Sequence, residues 1–241
     1  MQVIPVLIEK EIEFNDDLSE LIVELVELCD DDILVIAQKI ISKQEGQIVD
    51  LSTVKPSLLA QGISSEYKKN PCIVELILAE SKKIVRMEKG IIIVETKNGF
   101  ICANAGIDES NVKNGFATLL PRNSDYSAEI ICKQIQKMCG KKIAVIIADT
   151  FGRPFRVGQT NIAIGVYGLN PLLDYSGTFD TFGKILRVTE IAIADEISGA
   201  AELVMKKTSN CPVVVIRDYK FKKEISSFKR LIRAENDDLF R

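Results

Sequence analysis

The sequence predicts an α+β fold of mixed sheets with packed helices, and three observations carry the prediction. Short apolar runs of strand character, at 33–37, 142–148 and 213–216, are spread along the whole chain. Segments of helical periodicity lie between them, without the regular strand–helix alternation of a doubly wound sheet. The pair Asn98-Gly99 joins two apolar runs, and Asn-Gly in that setting is a strong signal for an antiparallel hairpin.

Taken in order, residues 2–7 read as a first strand. Asn15, Asp16 and Asp17 cap a helix whose apolar positions are Leu18, Leu21, Ile22, Leu25, Val26 and Leu28. The buried strand at 33–37 runs into an abrupt polar turn over 38–46. Helical signals occupy 56–69 and 71–82, with Pro71 suited to an N-terminal turn. Strands at 91–95 and 100–103 flank Thr96-Lys97-Asn98-Gly99. A helix starts near Ser124 and ends before Gly140. Further strands are read at 142–148, 161–166, 185–191 and 213–216, with a helix at 193–207. There is no repeat, low-complexity tract or linker. The 241 residues form a single catalytic unit, 1–241, or two intimately joined lobes whose boundary is not legible.

Composition narrows the chemistry. The chain has no histidine, which removes Ser-His-Asp and Cys-His catalysis and histidine zinc sites. Carboxylates, hydroxyls, lysines and arginines remain, a set that suits Mg²⁺ or Mn²⁺ with phosphates. A net charge of -3 gives no reason to expect nucleic acid. No apolar run approaches the roughly 20 residues that cross a bilayer, and the start lacks a secretion signal. The six cysteines form no C-x-x-C pair and read as small buried hydrophobes in a reducing, cytoplasmic setting. Neither a Walker-type P-loop nor a G-x-G-x-x-G fingerprint is present.

Three polar turns, each after a strand, hold the candidate functional residues. The first is Ser42-Lys43-Gln44-Glu45-Gly46, where Lys43 can meet phosphate as a point charge. The second runs from Asn104 to Asn111, with Asp108 a ligand for a hard cation and Asn111 a donor for a nucleotide. The third is IIADTFGRPFR, 146–156. There Asp149 and Thr150 can ligate Mg²⁺, while Arg153 and Arg156 present planar forks to phosphate or carboxylate. Each turn alone is also readable as a capped, solvated loop. Glu190, Asp195 and Glu196 are weaker candidates, the last two read as favoured acids of a helix's first turn. The run 220–223 reads as a solvated basic face.

Together, ISKxEG, NAGIDxSN, DTxGRPFRxGQTxxAIG, VTEIAIADEI and PVVVIRD resemble, in order from about Pro5 to Asp218, the coenzyme F420-0:L-glutamate ligase family. The resemblance implies that family's unusual α+β fold, an intertwined homodimer, and no C-terminal nitroreductase-like domain. It implies GTP-dependent addition of L-glutamate to F420-0, a deazaflavin, through an acyl phosphate, with further γ-linked glutamates open. It implies two divalent ions, Mg²⁺ or Mn²⁺, the first on Asp108 and Asp149 and the second on Thr150, and admits a monovalent cation such as K⁺. Lys43 and Asn111 would contact the nucleotide, with Gln38 and Lys39 near it. Arg153 and Arg156 are assigned on physical grounds to phosphate or the acceptor's acidic tail. Glu45 or a metal-bound hydroxide stands as base for the glutamate amine.

Two stretches depart from the family's pattern. Ile8-Glu9-Lys10 replaces Gly-Leu/Ile-Pro, and 206–211 replaces a glycine-bearing loop, leaving Lys206 and Lys207 to supply charge there. Asp218 also stands where a glycine is usual. A binding protein without turnover, or a ligase for another carboxylate-bearing metabolite, remains open.

Overall fold

A computed structural model describes residues 1–239. In chain order the elements are β1 (Gln2–Val6), α1 (Leu18–Leu25), β2 (Ile33–Ala37), α2 (Gln38–Gln44), β3 (Ile48–Asp50), α3 (Leu58–Tyr67), α4 (Pro71–Glu80), β4 (Ser81–Glu88), β5 (Ile91–Thr96), β6 (Ile101–Ala103), β7 (Phe116–Thr118), α5 (Ser124–Cys139), β8 (Ala144–Arg153), β9 (Arg156–Tyr167), β10 (Leu173–Asp174), β11 (Glu190–Ile191), α6 (Ile193–Met205) and β12 (Val213–Arg217). Single 3-10 turns follow β3 and β6, and two more lie at Phe228–Leu231 and Glu235–Asp237. The class is α+β, as the sequence predicts.

The main sheet has the order β1-β12-β2-β8-β9. It is mixed: β2 and β8 run parallel, with Val35 opposite Ile146, and the other pairs are antiparallel. Ile33–Ile36 and Val213–Ile216 are buried without alternation. A continuous apolar run of this kind marks strands covered on both faces. Helices α5 and α6 pack on the sheet, and α1 packs on α5. Side-chain caps start the helices: Asp17 for α1, Asn70 before Pro71 for α4, and Asn123 for α5, which Gly140 ends in the left-handed conformation. Gly165 is required by close approach, since a Cβ there would lie 2.5 Å from the Ser124 carbonyl oxygen at the start of α5.

Strand β9 is the sheet's edge, and side-chain carboxylates close its outward amides. Glu202 accepts from the Asn161 amide, Asp195 from Ala163 and Asp125 from Val166, at 2.9, 2.9 and 2.8 Å. Capping of this kind removes the free donors that make an edge sticky.

A second apolar core gathers Leu51, Ala60, Ile63, Ile73, Val74, Ile77, Ile92, Val94, Ala105 and Ala117. It belongs to α3, α4 and the small sheets β4-β5-β6 and β3-β7. The chain thus has two cores, and the loop from Asn104 to Asn111 lies where the smaller one meets the larger.

Four local expectations are corrected. Residues 38–44 are a helix, α2, not a turn, because a helical turn tucks both Ile40 and Ile41 into the core. The helix expected to reach residue 82 stops at Glu80, and strand β4 begins at Ser81. The strand expected at 142–148 continues to Arg153 and pairs with a β9 that begins at Arg156 rather than Asn161. The strand expected at 185–191 is reduced to Glu190–Ile191 plus a bridge from Phe179 to Ile185, since most of 173–189 is exposed and has no core to pair against.

Candidate active site

The last register pair of β2 with β8 is Ala37 with Ala148. Beyond it the first strand turns into α2 while the second continues, so Gln38 and Lys39 leave the sheet beside Asp149 and Thr150. These last two residues therefore sit inside a long hairpin, not at a strand's end. Asp108 arrives from the smaller core, held by a backbone bridge to Thr118 of β7, with N–H···O distances of 3.1 and 2.8 Å.

Lys39 Nζ donates to Asp108 Oδ2 at 2.6 Å and to the Ser110 hydroxyl and carbonyl at 2.7 and 2.8 Å. Ser110 also gives Asp108 its amide and hydroxyl, at 2.8 and 2.7 Å. Burial acts to raise the Asp108 carboxyl, but the Lys39 ammonium and the Ser110 hydrogen bonds outweigh it and hold it below the usual range. Asp149 goes the other way. Burial pushes its carboxyl up to about 6, and the Asp108 charge adds to this against the Thr150 backbone, Lys207 and Lys39. Two nearby carboxylates whose protonation is driven apart make this cluster the candidate site.

Thr150 points into a second network. Its hydroxyl donates to Asn161 Oδ1 at 2.6 Å and accepts from Lys207. Lys207 also pairs with Glu202 at 3.1 Å, and Glu202 accepts the Asn161 amide. Asn161, Glu202 and Ser110 join the cluster and are not among the sequence candidates, although Ser110 lies within the NAGIDxSN turn and Glu202 near the end of the helix read at 193–207.

The structure thus brings together Lys39, Asp108, Asp149, Thr150 and Lys207, with Gln38 buried alongside at the start of α2. The other candidates stand apart. Lys43 is buried and pairs with Glu11. Asn111 is exposed, with φ of +54°. Arg153 and Arg156 oppose each other at the hairpin's exposed tip, and Arg153 Nη2 donates to the Val157 carbonyl at 2.9 Å. Glu45 accepts from the Ser127 hydroxyl and the Arg122 amide, which ties both its oxygens to the start of α5. Asp195 caps the β9 edge, while Glu190 and Glu196 are exposed.

The two departing stretches touch each other: the Ile8 amide donates to the Asn210 carbonyl at 2.8 Å. Lys206, Asn210 and Asp218 all have positive φ, at +52°, +49° and +59°. The backbone keeps a glycine-like course there with other residues on it.

Asp108 and Asp149 offer carboxylate oxygens, the type that hard cations prefer, while the Thr150 hydroxyl lies in the neighbouring network of Asn161 and Lys207. The raised Asp149 carboxyl is an incompletely balanced charge, and a divalent cation would balance it. Among the described residues no three of Cys, Asp and Glu gather at one point. A cation here would complete its shell with water and phosphate oxygens, as Mg²⁺ commonly does.

Comparison with known proteins gives one consistent result. The family model for F420-0:Gamma-glutamyl ligase matches residues 7–218. The chain is 45% identical over 235 residues to the coenzyme F420:L-glutamate ligase of Methanothermobacter thermautotrophicus, covering 94% of this chain and 93% of the relative. It is 46% identical over 226 residues to the Methanocaldococcus jannaschii protein of the same name, covering 93% and 90%. The Methanopyrus kandleri protein of that name is 38% identical over 248 residues, covering 100% and 98%.

Proposed function

The chain belongs to the F420-0:gamma-glutamyl ligase family, and from that premise we propose that this amide-bond-forming ligase joins L-glutamate to F420-0 using GTP and a divalent cation. The observation that carries the reading is the meeting of Asp108 and Asp149 with Lys39 and Lys207 at the seam of the two cores.

The reaction has two steps. A carboxylate oxygen of the acceptor attacks the γ-phosphorus of GTP, giving an acyl phosphate and GDP. The glutamate amine then attacks the acyl carbon, the C–O bond to phosphate breaks, and phosphate leaves with that electron pair. The ammonium proton goes to solvent or a base. Phosphoryl transfer of this kind needs positioning and charge neutralisation more than an acid–base relay, which fits a chain without histidine. Asp108, Asp149 and Thr150 would hold Mg²⁺ or Mn²⁺, two ions in this reading, which supply charge neutralisation on the phosphates. Lys39 fixes Asp108, and Lys207 brings a cation to Thr150. Gln38, with Lys43, Asn111 and Lys206 further out, forms the nucleotide side. A bound monovalent cation such as K⁺ and further γ-linked additions are extensions of the same reading, and the cytoplasm is its compartment.

A homodimer belongs to the reading as well. Phe155 and Val157 at the β8–β9 tip, and Phe179, Phe182 and Val188 in the excursion between β10 and β11, are 68–98% exposed. Apolar patches of this kind support burial against a second copy. Arg153 and Arg156 ride on the same tip, so their anion-gripping role would be exercised where that tip docks.

The test is incubation with GTP, Mn²⁺, L-glutamate and F420-0, followed by mass spectrometry and phosphate release. The expected result is one glutamyl unit gained per phosphate released. Folded protein that forms no product with GTP or ATP contradicts the proposal. If it nevertheless binds F420 or nucleotide, the second reading, a binding protein without turnover, takes its place. The changed residues at 8–10 and 206–211, two stretches that meet through the Ile8 amide and the Asn210 carbonyl, favour that reading.

A further inference from the structure

A cavity of about 190 Å³ opens against the β8–β9 hairpin. Its wall includes Ile162, the direct cross-strand partner of Asp149, and Phe151, two residues further along β8. Side chains two apart on a strand share a face, so the cavity lies on the face that Asp149 presents. Phe100 meets Phe151 edge-on at 6.1 Å, and Phe228 stacks on Phe100 at 4.6 Å. Ile232, with Arg233 and Asp238 of the same C-terminal segment, closes another side, and Asp195 is the carboxylate on the β9 side. Asp195 Oδ1 accepts the Ala163 amide at 2.9 Å, and among the described residues its side chain has no second partner. Burial raises its carboxyl.

Three small molecules take part in the proposed reaction, and the lining discriminates among them. Glutamate has no ring to match the aromatic wall, and the charged groups of the lining offer its two carboxylates one cation, Arg233, against two acids, Asp195 and Asp238. The nucleotide's phosphates belong with Lys39 and Lys207. Lys207 Nζ bonds the Thr150 hydroxyl, and Thr150, between Asp149 and Phe151 on β8, turns its side chain to the opposite face of the strand from the cavity. The remaining molecule is the acceptor, a flat deazaflavin ring on a tail that ends in the reacting carboxylate. Rings of that type gain from edge and face contacts with phenylalanine.

We propose that the cavity between Phe100, Phe151, Phe228 and Ile232 is the subsite for the acceptor's ring, with its tail running back to Asp149. This rests on the ligase reading, and the experiment separates the two.

Dissociation constants of F420-0, of the deazaflavin ring compound without the lactyl tail, and of GDP with Mn²⁺ are measured on the whole protein and on Ile232→Trp, which fills the cavity from its rim. Ile232→Trp is expected to weaken F420-0 and the ring compound at least tenfold while GDP stays within twofold. On the unaltered protein the ring compound is expected to displace F420-0 and not GDP, a result that needs no variant to fold. Unchanged F420-0 binding in Ile232→Trp, or a loss of GDP in its place, overturns the subsite. Displacement of GDP by the ring compound overturns it too. Should the protein form no glutamyl product and yet bind the ring compound with a loss in Ile232→Trp, the ligase reading falls and the subsite stands. A full yield of product with an unchanged KM for F420-0 in Ile232→Trp does the opposite: the ligase reading stands and the subsite falls.

Discussion

Lys39 Nζ lies 2.6 Å from Asp108 Oδ2, and this pair joins the first turn of α2 to the loop that follows β6. The two residues are 69 apart in sequence and belong to elements that pack on different cores. The ammonium holds one carboxylate in its charged form next to a second, Asp149, that burial pushes toward neutrality.

Replacing Lys39 by methionine removes that hold. The expected loss in kcat/KM is about 100-fold, the scale of one lost preorganised charge contact. Stability should move by less than about 1 kcal/mol, because a partly solvated ion pair contributes little to folding. Steady-state phosphate release and a urea melt check both halves.

Asp149→Asn should abolish turnover and stabilise the metal-free fold. The carboxyl titrates near 6 in the folded chain and near 3.9 when unfolded. The folded state therefore binds the proton more tightly, and ionisation destabilises it as pH rises between those values. The full cost, about 3 kcal/mol at most, is present above pH 6 and absent below about pH 4. Urea melts at pH 7.5 should favour the variant, and at pH 4 the two curves should coincide. Divalent cation should raise the melting temperature of the unaltered protein only.

Arg217 donates to Asp32 through Nε and Nη2 at 2.9 and 2.8 Å, and Asp32 also accepts the Cys29 amide at 2.8 Å. Hydrogen bonding to Asp32 drives the guanidinium further into its charged form. Arg217→Ala leaves a carboxylate that is 1% exposed without its partner. The expected cost is about 3–5 kcal/mol, read by denaturant unfolding.

Lys206 has φ of +52° and ψ of -167°, a region that glycine alone visits without strain. Lys206→Gly should stabilise the fold by about 1 kcal/mol, or roughly 2–4 °C in Tm. If its ammonium meets the nucleotide, the same change raises the KM for GTP. The two effects oppose each other in function, and calorimetry with kinetics on one variant measures both.

Much of the fold was legible because its central strands are unbroken apolar runs and its helices begin on Asp17, Asn70 and Asn123. The hairpin across Asn98-Gly99 was legible from its turn. Helix α2 was not, because Ala37 gives it no side-chain cap and it follows β2 without a break. Strand β4 was missed because Lys82, Lys83 and Arg86 mask its pattern. In the site, Asp108, Asp149 and Thr150 were readable as oxygen donors at strand ends and loops. Their meeting with Lys39 and Lys207 was not, since it depends on the parallel pairing of β2 with β8 and on the bridge between Asp108 and Thr118. Arg153 and Arg156 looked like neighbours of Asp149 in sequence. An extended hairpin carries them away at about 3.3 Å per residue.

The most direct test is a crystal of the protein soaked with GDP and Mn²⁺, with anomalous scattering recorded for manganese. The reading predicts a manganese peak within ligand distance of the Asp108 and Asp149 carboxylates, with the diphosphate against Lys39 or Lys207. Manganese bound elsewhere, or a nucleotide seated with no cation on either aspartate, contradicts it.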